Sequence, residues 1–377
     1  MTGKNQSYAR QLNNQLIMRE LRNGCCSATM LSQRLNLSNA ALSDIISKLQ
    51  QKGYIKQTDV DSQVNVGRRP VYYTVNENFG CIVVVSLADY TCKIVVSDMK
   101  MNVIDSEETR VEKYDVKMLY EIVLAIKNML SAPKYVNVPL LGIDLSLPGK
   151  VNTQTGELQL SPQFDKDIFC ENGGILNLFQ KQFNVPVVMT NDINLAGLGE
   201  MHSGALKGVD NGMLVHVDEG IGGALILNGK LFVGSQGFSG EVGLMRTVFR
   251  GKSDCLDEFV SLRAIKNALS EKLGRKLHTK DVVELYGIDL DVKNYVNDTA
   301  VCLGRTLKDI VELLNVSTIV LSGRIEQFGS EYLNLVIAEV SQSDNDCNVG
   351  YSKLGRDASV IGAISKAVEA LTDDIFE

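Results

Sequence analysis

Asn191 and Asp192 follow the short apolar run 185–189, and Glu241 stands inside the glycine-rich stretch Gly237-Phe238-Ser239-Gly240-Glu241-Val242-Gly243. Amides and carboxylates at strand ends can each grip two hydroxyls of a polyol. They select stereochemistry because a buried polar group left unmet is costly. Neighbouring glycines let the backbone close on such a ligand. Asp192 also suits the N-cap of a helix over 193–201, and the two roles are compatible. A different chemistry belongs to Gly67-Arg68-Arg69-Pro70. Two adjacent arginines at a strand entrance, followed by a proline, suit phosphate or minor-groove contact. Near them Ser38 opens a helical stretch whose one face is Asn39, Ala40, Ser43, Asp44 and Ser47. Small residues let a helix sit deep in a major groove, and polar ones meet base edges.

The elements around these residues follow from periodicity and turn chemistry. Residues 8–22 read as a helix, stopped at Asn23-Gly24, both tolerant of the left-handed conformation of a helix end. Ser27 caps a second helix through Leu35 that buries Met30, Leu31 and Leu35, and Asn36-Leu37-Ser38 forms a tight turn. In the third helix Leu42, Ile45, Ile46 and Leu49 make one apolar stripe opposite the polar face. Gly53 ends it, and 55–58 and 71–75 form two antiparallel strands. Residues 1–76 are therefore predicted to be a winged helix-turn-helix. Charge agrees: residues 1–75 carry ten Lys/Arg against four Asp/Glu, a net of +6. The remaining 302 residues carry 28 against 41, a net of −13, which completes the chain's −7. A basic head on an acidic body favours a polyanion such as duplex DNA.

The chain is 45% apolar, enough for a large body core and more than one lobe. Strands at 82–87 and 92–99 form a hairpin, 116–130 an amphipathic helix, 140–147 a buried strand closed by Pro148-Gly149. A helix at 175–183 and a strand at 185–189 follow. A hairpin at 213–217 and 224–227, continued at 230–233, starts a second cycle, with helical patterns through about residue 340 interrupted by a strand at 318–321, and a last helix at 358–370. This alternation indicates α/β, and its single repetition predicts two similar lobes. No run reaches transmembrane length and residues 1–14 lack an apolar signal core, so the expected location is the cytoplasm. Eight cysteines without a C-x-x-C pair read as reduced thiols, and His202, His216 and His278 are too far apart for a helical metal pair.

Several segments resemble the ROK family, which groups sugar-responsive repressors with sugar kinases on an actin-like, two-lobe, RNase H-like fold. They are Leu147-Pro148-Gly149-Lys150-Val151, Leu160-Ser161-Pro162-Gln163, Asn191-Asp192-Ile193-Asn194-Leu195-Ala196, Gly220-Ile221-Gly222-Gly223, and Asn228-Gly229-Lys230-Leu231 with 237–243. The resemblance spans nearly all of 8–370, and the head matches the domain that the family's repressors carry and its kinases lack. It implies a body of residues 77–377: lobe 1 of about 77–190 with the C-terminal helix at about 357–377, and lobe 2 of about 191–356. It also implies a carbohydrate held between the lobes by Gly149, Asn191, Asp192, Glu241 and an acid after Cys255-Leu256. Asp257 has the matching spacing for that acid, and Glu258 is the alternative. In a kinase Asp192 would be the general base.

Departures from the family pattern bear on activity. Its kinases open with Asp-x-Gly-x-Thr, which manages ATP phosphates and magnesium. Residues 81–97 contain no glycine, and Ser86-Leu87-Ala88-Asp89-Tyr90 fills the turn. The second phosphate loop carries Asp218-Glu219, two charges expected to point where phosphates would lie. The family's His/Cys₃ zinc set is reduced to Cys255, with Leu244 at the His position, so no metal is expected. No cofactor and no catalytic residue are expected either. The expected protein is a non-enzymatic, sugar-responsive repressor, a homodimer or homotetramer. Its partners are double-stranded operator DNA and a monosaccharide or sugar derivative, and no membrane. The alternatives are an ATP-dependent ROK sugar kinase with an appended domain, and a repressor controlled by a protein partner.

Overall fold

The computed structural model describes residues 2–59, 70–88, 90–161, 163–165, 168 and 174–373. Arg68, Arg69, Asp89 and Pro162 lie outside the described residues.

Helix α1 (Thr2–Asn23) starts well before residue 8, as the polar stretch ahead of it holds no proline. Strand β1 (Cys26–Ser27) leads into α2 (Ala28–Leu35), where Ser27 Oγ accepts from Met30 N at 3.3 Å. Among the apolar residues expected in its core only Leu31 is buried; Met30 and Leu35 are half-buried. A helix of barely two turns brings little more than one side chain fully inward. Asn36 turns the chain at φ 52, and Ser38 Oγ accepts from Ala41 N at 3.3 Å to cap α3 (Asn39–Gln51). Leu42, Ile45, Ile46 and Leu49 are buried there, with Asn39, Ala40, Ser43, Asp44 and Ser47 exposed. Strands β2 (Ile55–Thr58) and β3 (Tyr72–Val75) pair antiparallel, and β1 adds a third strand to β3. Two residues carry no periodicity, so β1 left no mark in the sequence. The head is a winged helix-turn-helix.

Glu77, in the turn that leaves the head, pairs with Lys56 of β2 at 2.7 Å and with Lys100 of the body at 3.2 Å. Burial works against its ionisation, but the two lysines prevail and push its carboxyl down to about 2. At the other end of the head, burial lowers the pKa of Arg22, opposed by the favourable charge of Glu369 on the last helix.

The chain divides into two compact units, one of Met1–Leu145, Gln163–Val188 and Ile364–Glu377, the other of Ser146–Pro162 and Met189–Ala363. The first sheet is built from β4 (Cys81–Ala88), β5 (Thr91–Asp98), β6 (Val103–Arg110), β7 (Leu140–Leu147) and β10 (Val187–Asn191). Helix α4 (Val116–Leu130) precedes β7, then come β8 (Lys150–Val151), β9 (Leu158–Leu160) and α5 (Gly174–Phe183). Helix α6 (Asp192–Ser203) follows β10 directly. The second sheet contains β11 (Gly212–Val217), β12 (Ile221–Leu227), β13 (Lys230–Phe232), β16 (Thr318–Ser322) and β17 (Asn348–Tyr351). Between them lie the hairpin β14 (Arg246–Phe249) and β15 (Lys252–Cys255), and helices α7 (Asp257–Val260), α8 (Leu262–Leu273), α9 (Thr279–Tyr286) and α10 (Leu290–Leu314). Helices α11 (Gly329–Val340) and α12 (Ala358–Asp373) complete the chain.

The strand orders are β10-β7-β4-β5-β6 and β17-β16-β11-β12-β13. Both are a three-strand meander extended by two later strands, which is the repetition predicted from the sequence. Edge strands β6 and β17 escaped that prediction: β6 is almost wholly exposed and its Asp-Ser-Glu-Glu-Thr core lacks a strand's apolar alternation. In the second sheet Met213, Val215 and Val217 face the large core of α8–α11, while Leu214, Ala224 and Ile226 face Ile193 and Ala196 of α6. Both faces being covered explains why these strands read as continuous apolar runs. No helix is long and apolar enough to cross a membrane among the described residues.

Candidate functional site

All five residues assigned to a sugar lie in the second unit. Asn191 ends β10 and is the actual N-cap of α6: its Oδ1 accepts from Asn194 N at 2.9 Å. This corrects the expectation that Asp192 caps; Asp192 is the first helical residue. The cap's backbone is extended while the next residue is already helical, and the polar pair was shifted by one in the sequence reading. The Asn191 amide also donates to Gly149 O at 2.9 Å and to Asp192 Oδ1 at 3.2 Å, and Asp192 Oδ1 accepts from Ile193 N at 2.9 Å. Gly149 sits at φ 123, a conformation open to glycine and strained for other residues, so its carbonyl can turn toward Asn191.

Lys150, next to Gly149, joins Glu241 to this group: its Nζ is 3.6 Å from Glu241 Oε1 and 5.8 Å from the centre of the Phe238 ring. Glu241 remains exposed. The turn that carries it lies hard against β12, since a Cβ on Gly240 (φ 89) would sit 1.9 Å from Gly223 O. Asp257, opening α7, accepts from Ile221 N at 2.8 Å and pairs with Arg263 at 2.5 Å, while Glu258 also reaches Arg263 at 2.9 Å. Asp257 therefore ties the start of β12 to α7, next to the Gly222 that faces Ile193 of α6. The sequence reading missed Lys150 and Arg263. Lys150 was visible beside the Pro-Gly turn, but nothing local in the sequence marks a partner about ninety residues further along the chain.

A second acidic corner is arranged differently. Asp218, just past β11, is buried, and Arg324 Nε lies 2.9 and 3.0 Å from its two oxygens. Arg324 N adds a third bond at 3.1 Å. Glu219 is held by Lys266 of α8 at 2.5 Å and by Arg324 at 3.2 Å. Burial opposes the Asp218 charge, yet the Arg324 bonds outweigh it and hold the carboxyl below the usual carboxylate range. Both of these acids are paired by cations remote in sequence. In the first unit, Tyr90, just before β5, is held as well. Tyr90 at φ 56 donates its N–H to Tyr114 Oη at 2.9 Å, and the rings stack with centres 5.4 Å apart.

In the head, α3 presents Asn39, Ala40, Ser43 and Ser47 outward. Ser38 is exposed but its hydroxyl is used as the cap. Asp44, on the same face, is paired with Lys48 at 2.9 Å. The wing arginines Arg68 and Arg69 lie outside the described residues.

Comparison with known proteins bears on this arrangement. The ROK family model matches residues 90–369. The xylose repressor of Bacillus subtilis (strain 168) is 25% identical over 385 residues, 98% of each chain. The N-acetylglucosamine repressor of Escherichia coli O157:H7 is 25% identical over 343 residues, 86% of this chain and 83% of that one. Among solved structures, a ROK family transcriptional regulator, a homolog of the E. coli MLC protein, superposes with a TM-score of 0.80 at 19% identity over 98% of both chains. A ROK hexokinase from Thermus thermophilus superposes with a TM-score of 0.64 at 21% identity, covering 75% of this chain and 96% of its own. The regulator thus shares the fold from end to end, whereas the hexokinase shares three-quarters of it. This chain belongs to the ROK family.

Proposed function

We propose that the protein is a sugar-responsive transcriptional repressor of the cytoplasm. It binds operator DNA through α3 and the wing, as a homodimer or homotetramer. A monosaccharide or sugar derivative, gripped by Gly149, Asn191, Asp192, Glu241 and Asp257, modulates that binding. The observation that carries the reading is the Asp218–Arg324 contact. It ties up, with the protein's own charges, the Asp218-Glu219 turn that the family resemblance makes the second phosphate loop, while the carboxylate of Glu241 stays exposed. Asp192 keeps the position of a kinase base, but a base without a phosphoryl donor beside it performs no transfer. The names of the similar repressors support sugar response, and the exposed small polar face of α3 supports major-groove reading. The test has two arms. An operator-length duplex should bind with a steep salt dependence, and ATP, magnesium and a monosaccharide panel should yield no sugar phosphate. Phosphorylation of any sugar above the rate of an Asp192→Asn control would replace this reading with the kinase one.

A further inference from the structure

Glu241 precedes the β14–β15 hairpin and Asp257 follows it, so the placement of the hairpin bears on both carboxylates, beside the contacts that each makes itself. The family pattern assigns that task to zinc. The donor set does not fit here: Leu244, at the His position, is 58% exposed, and Cys255 is the loop's one thiol. Among the described residues no three His, Cys, Asp or Glu side chains come together as a metal would require.

One stripe of α10 packs against the hairpin, beside Phe259 of α7. Tyr295, Asp298 and Cys302 stand at i, i+3 and i+7 and face the same way. The Phe249 ring, at the end of β14, is buried with its centre 5.6 Å from Tyr295, edge-on at 83°, and 5.4 Å from Phe259 of α7. Arg250 follows at φ 48 in the two-residue turn with Gly251, which aims its guanidinium back over the Tyr295 ring at 4.7 Å. The same guanidinium pairs with Asp298 at 2.7 Å. Farther along, Thr247 Oγ1 lies 3.7 Å from Cys302 Sγ. The open end is closed by Leu256 N donating to Met245 O at 2.8 Å, with Leu256 and Val260 wholly buried. Edge-on rings and a cation over an aromatic face are directional, so they fix orientation as well as distance.

We infer that this aromatic and cationic clamp on α10 takes the place of a metal in positioning Glu241 and Asp257. Tyr295, Phe249 and Arg250 are then positioning residues for ligand binding. The role of the carboxylates rests on the sugar-site reading; the clamp is judged without any sugar. The test uses the full-length protein, with zinc measured by mass spectrometry and amide hydrogen exchange followed over residues 241–257. Zinc should fall far below one per chain, and 1,10-phenanthroline should leave exchange unchanged. Tyr295→Leu should speed exchange in 241–257 about tenfold or more, with α6 and the β2–β3 pair unaffected. Tyr295→Phe, which keeps the ring, should behave as wild type. Should Tyr295→Leu not fold, Arg250→Gln should show the same local acceleration, several-fold. Stoichiometric zinc whose removal loosens the segment would overturn the inference, as would unchanged exchange in Arg250→Gln and Tyr295→Leu. If the exchange results hold but no sugar binds, the sugar reading fails and the clamp stands.

Discussion

Asp218 and Glu219 follow β11, whereas Asp192 opens α6 and Glu241 sits in the turn beyond β13; all four belong to one unit. At the first corner each carboxylate is met by a guanidinium or ammonium group, and Asp218 is buried under its bonds. At the second, the cation beside Glu241 is a single lysine at 3.6 Å, and the side chain stays 40% exposed. The difference teaches how to sort acids within a shared fold. A carboxylate buried under its partners, as Asp218 is, belongs to the structure, whereas one still open to solvent, as Glu241 is, keeps acceptors for a ligand.

Breaking the first corner should have the largest effect. Arg324→Met leaves Asp218 buried beside no guanidinium and should cost about 3–5 kcal/mol, read by urea unfolding. A loss below about 1 kcal/mol would mean that the contact is not structural, and the contrast between the corners would collapse. At the second corner the effect should fall on binding instead. Asp192→Asn and Glu241→Gln should each weaken sugar binding by about 1–3 kcal/mol in calorimetry, while stability changes by about 0.5 kcal/mol or less. A large stability loss would assign these acids to the fold.

The head offers a smaller contrast between reading bases and holding backbone. Asn39→Ala or Ser43→Ala should change sequence preference by about 1–3 kcal/mol per lost base contact, measured by competition between operator and random duplexes. Replacing Arg68 and Arg69 by Ala should weaken all duplexes alike and flatten the salt slope by about one to two units. Smallest of all is the joint at Glu77, another acid held by cations. Its folded pKa of about 2 lies below the ordinary glutamate value near 4.3, so its contribution is complete above that value and fades as pH falls toward about 2. Being about a third exposed, the pair should contribute under about 1 kcal/mol. The thermal-unfolding gap between wild type and Glu77→Gln should therefore narrow from pH 5 downward, and a gap that widened on acidification would reverse the assignment.

Much of this was legible in the sequence because the relevant signals are local. The α3 stripe, the Asn36 turn, the Ser27 and Ser38 caps and the 140–147 strand are set by residues within a few positions of one another. The grouping of Gly149, Asn191 and Asp192 was reachable through family motifs, and the repetition of the two sheets through the alternation of strands and helices. What escaped depends on distance in the chain. Arg324 meets Asp218 across 106 residues, and Tyr295 meets Phe249 from another helix; no window of sequence holds both partners. The short strand β1 and the polar edge strands β6 and β17 escaped for a different reason. Pairing alone creates them, without an apolar period. The Asp192 cap was misplaced by one residue because Asn191 and Asp192 are equally good caps by type, and only backbone geometry separates them.

The central claim is that ligand at the open corner controls the head. Its most direct test is operator occupancy by fluorescence anisotropy, for wild type, Asp192→Asn and Glu241→Gln, titrated with a panel of monosaccharides and their phosphates. The account predicts that one of these sugars shifts wild-type occupancy, that both variants bind operator as wild type without sugar, and that each needs about tenfold or more sugar for the same shift. Variants that respond at the wild-type sugar concentration would contradict it, and would place control of the head elsewhere in the molecule.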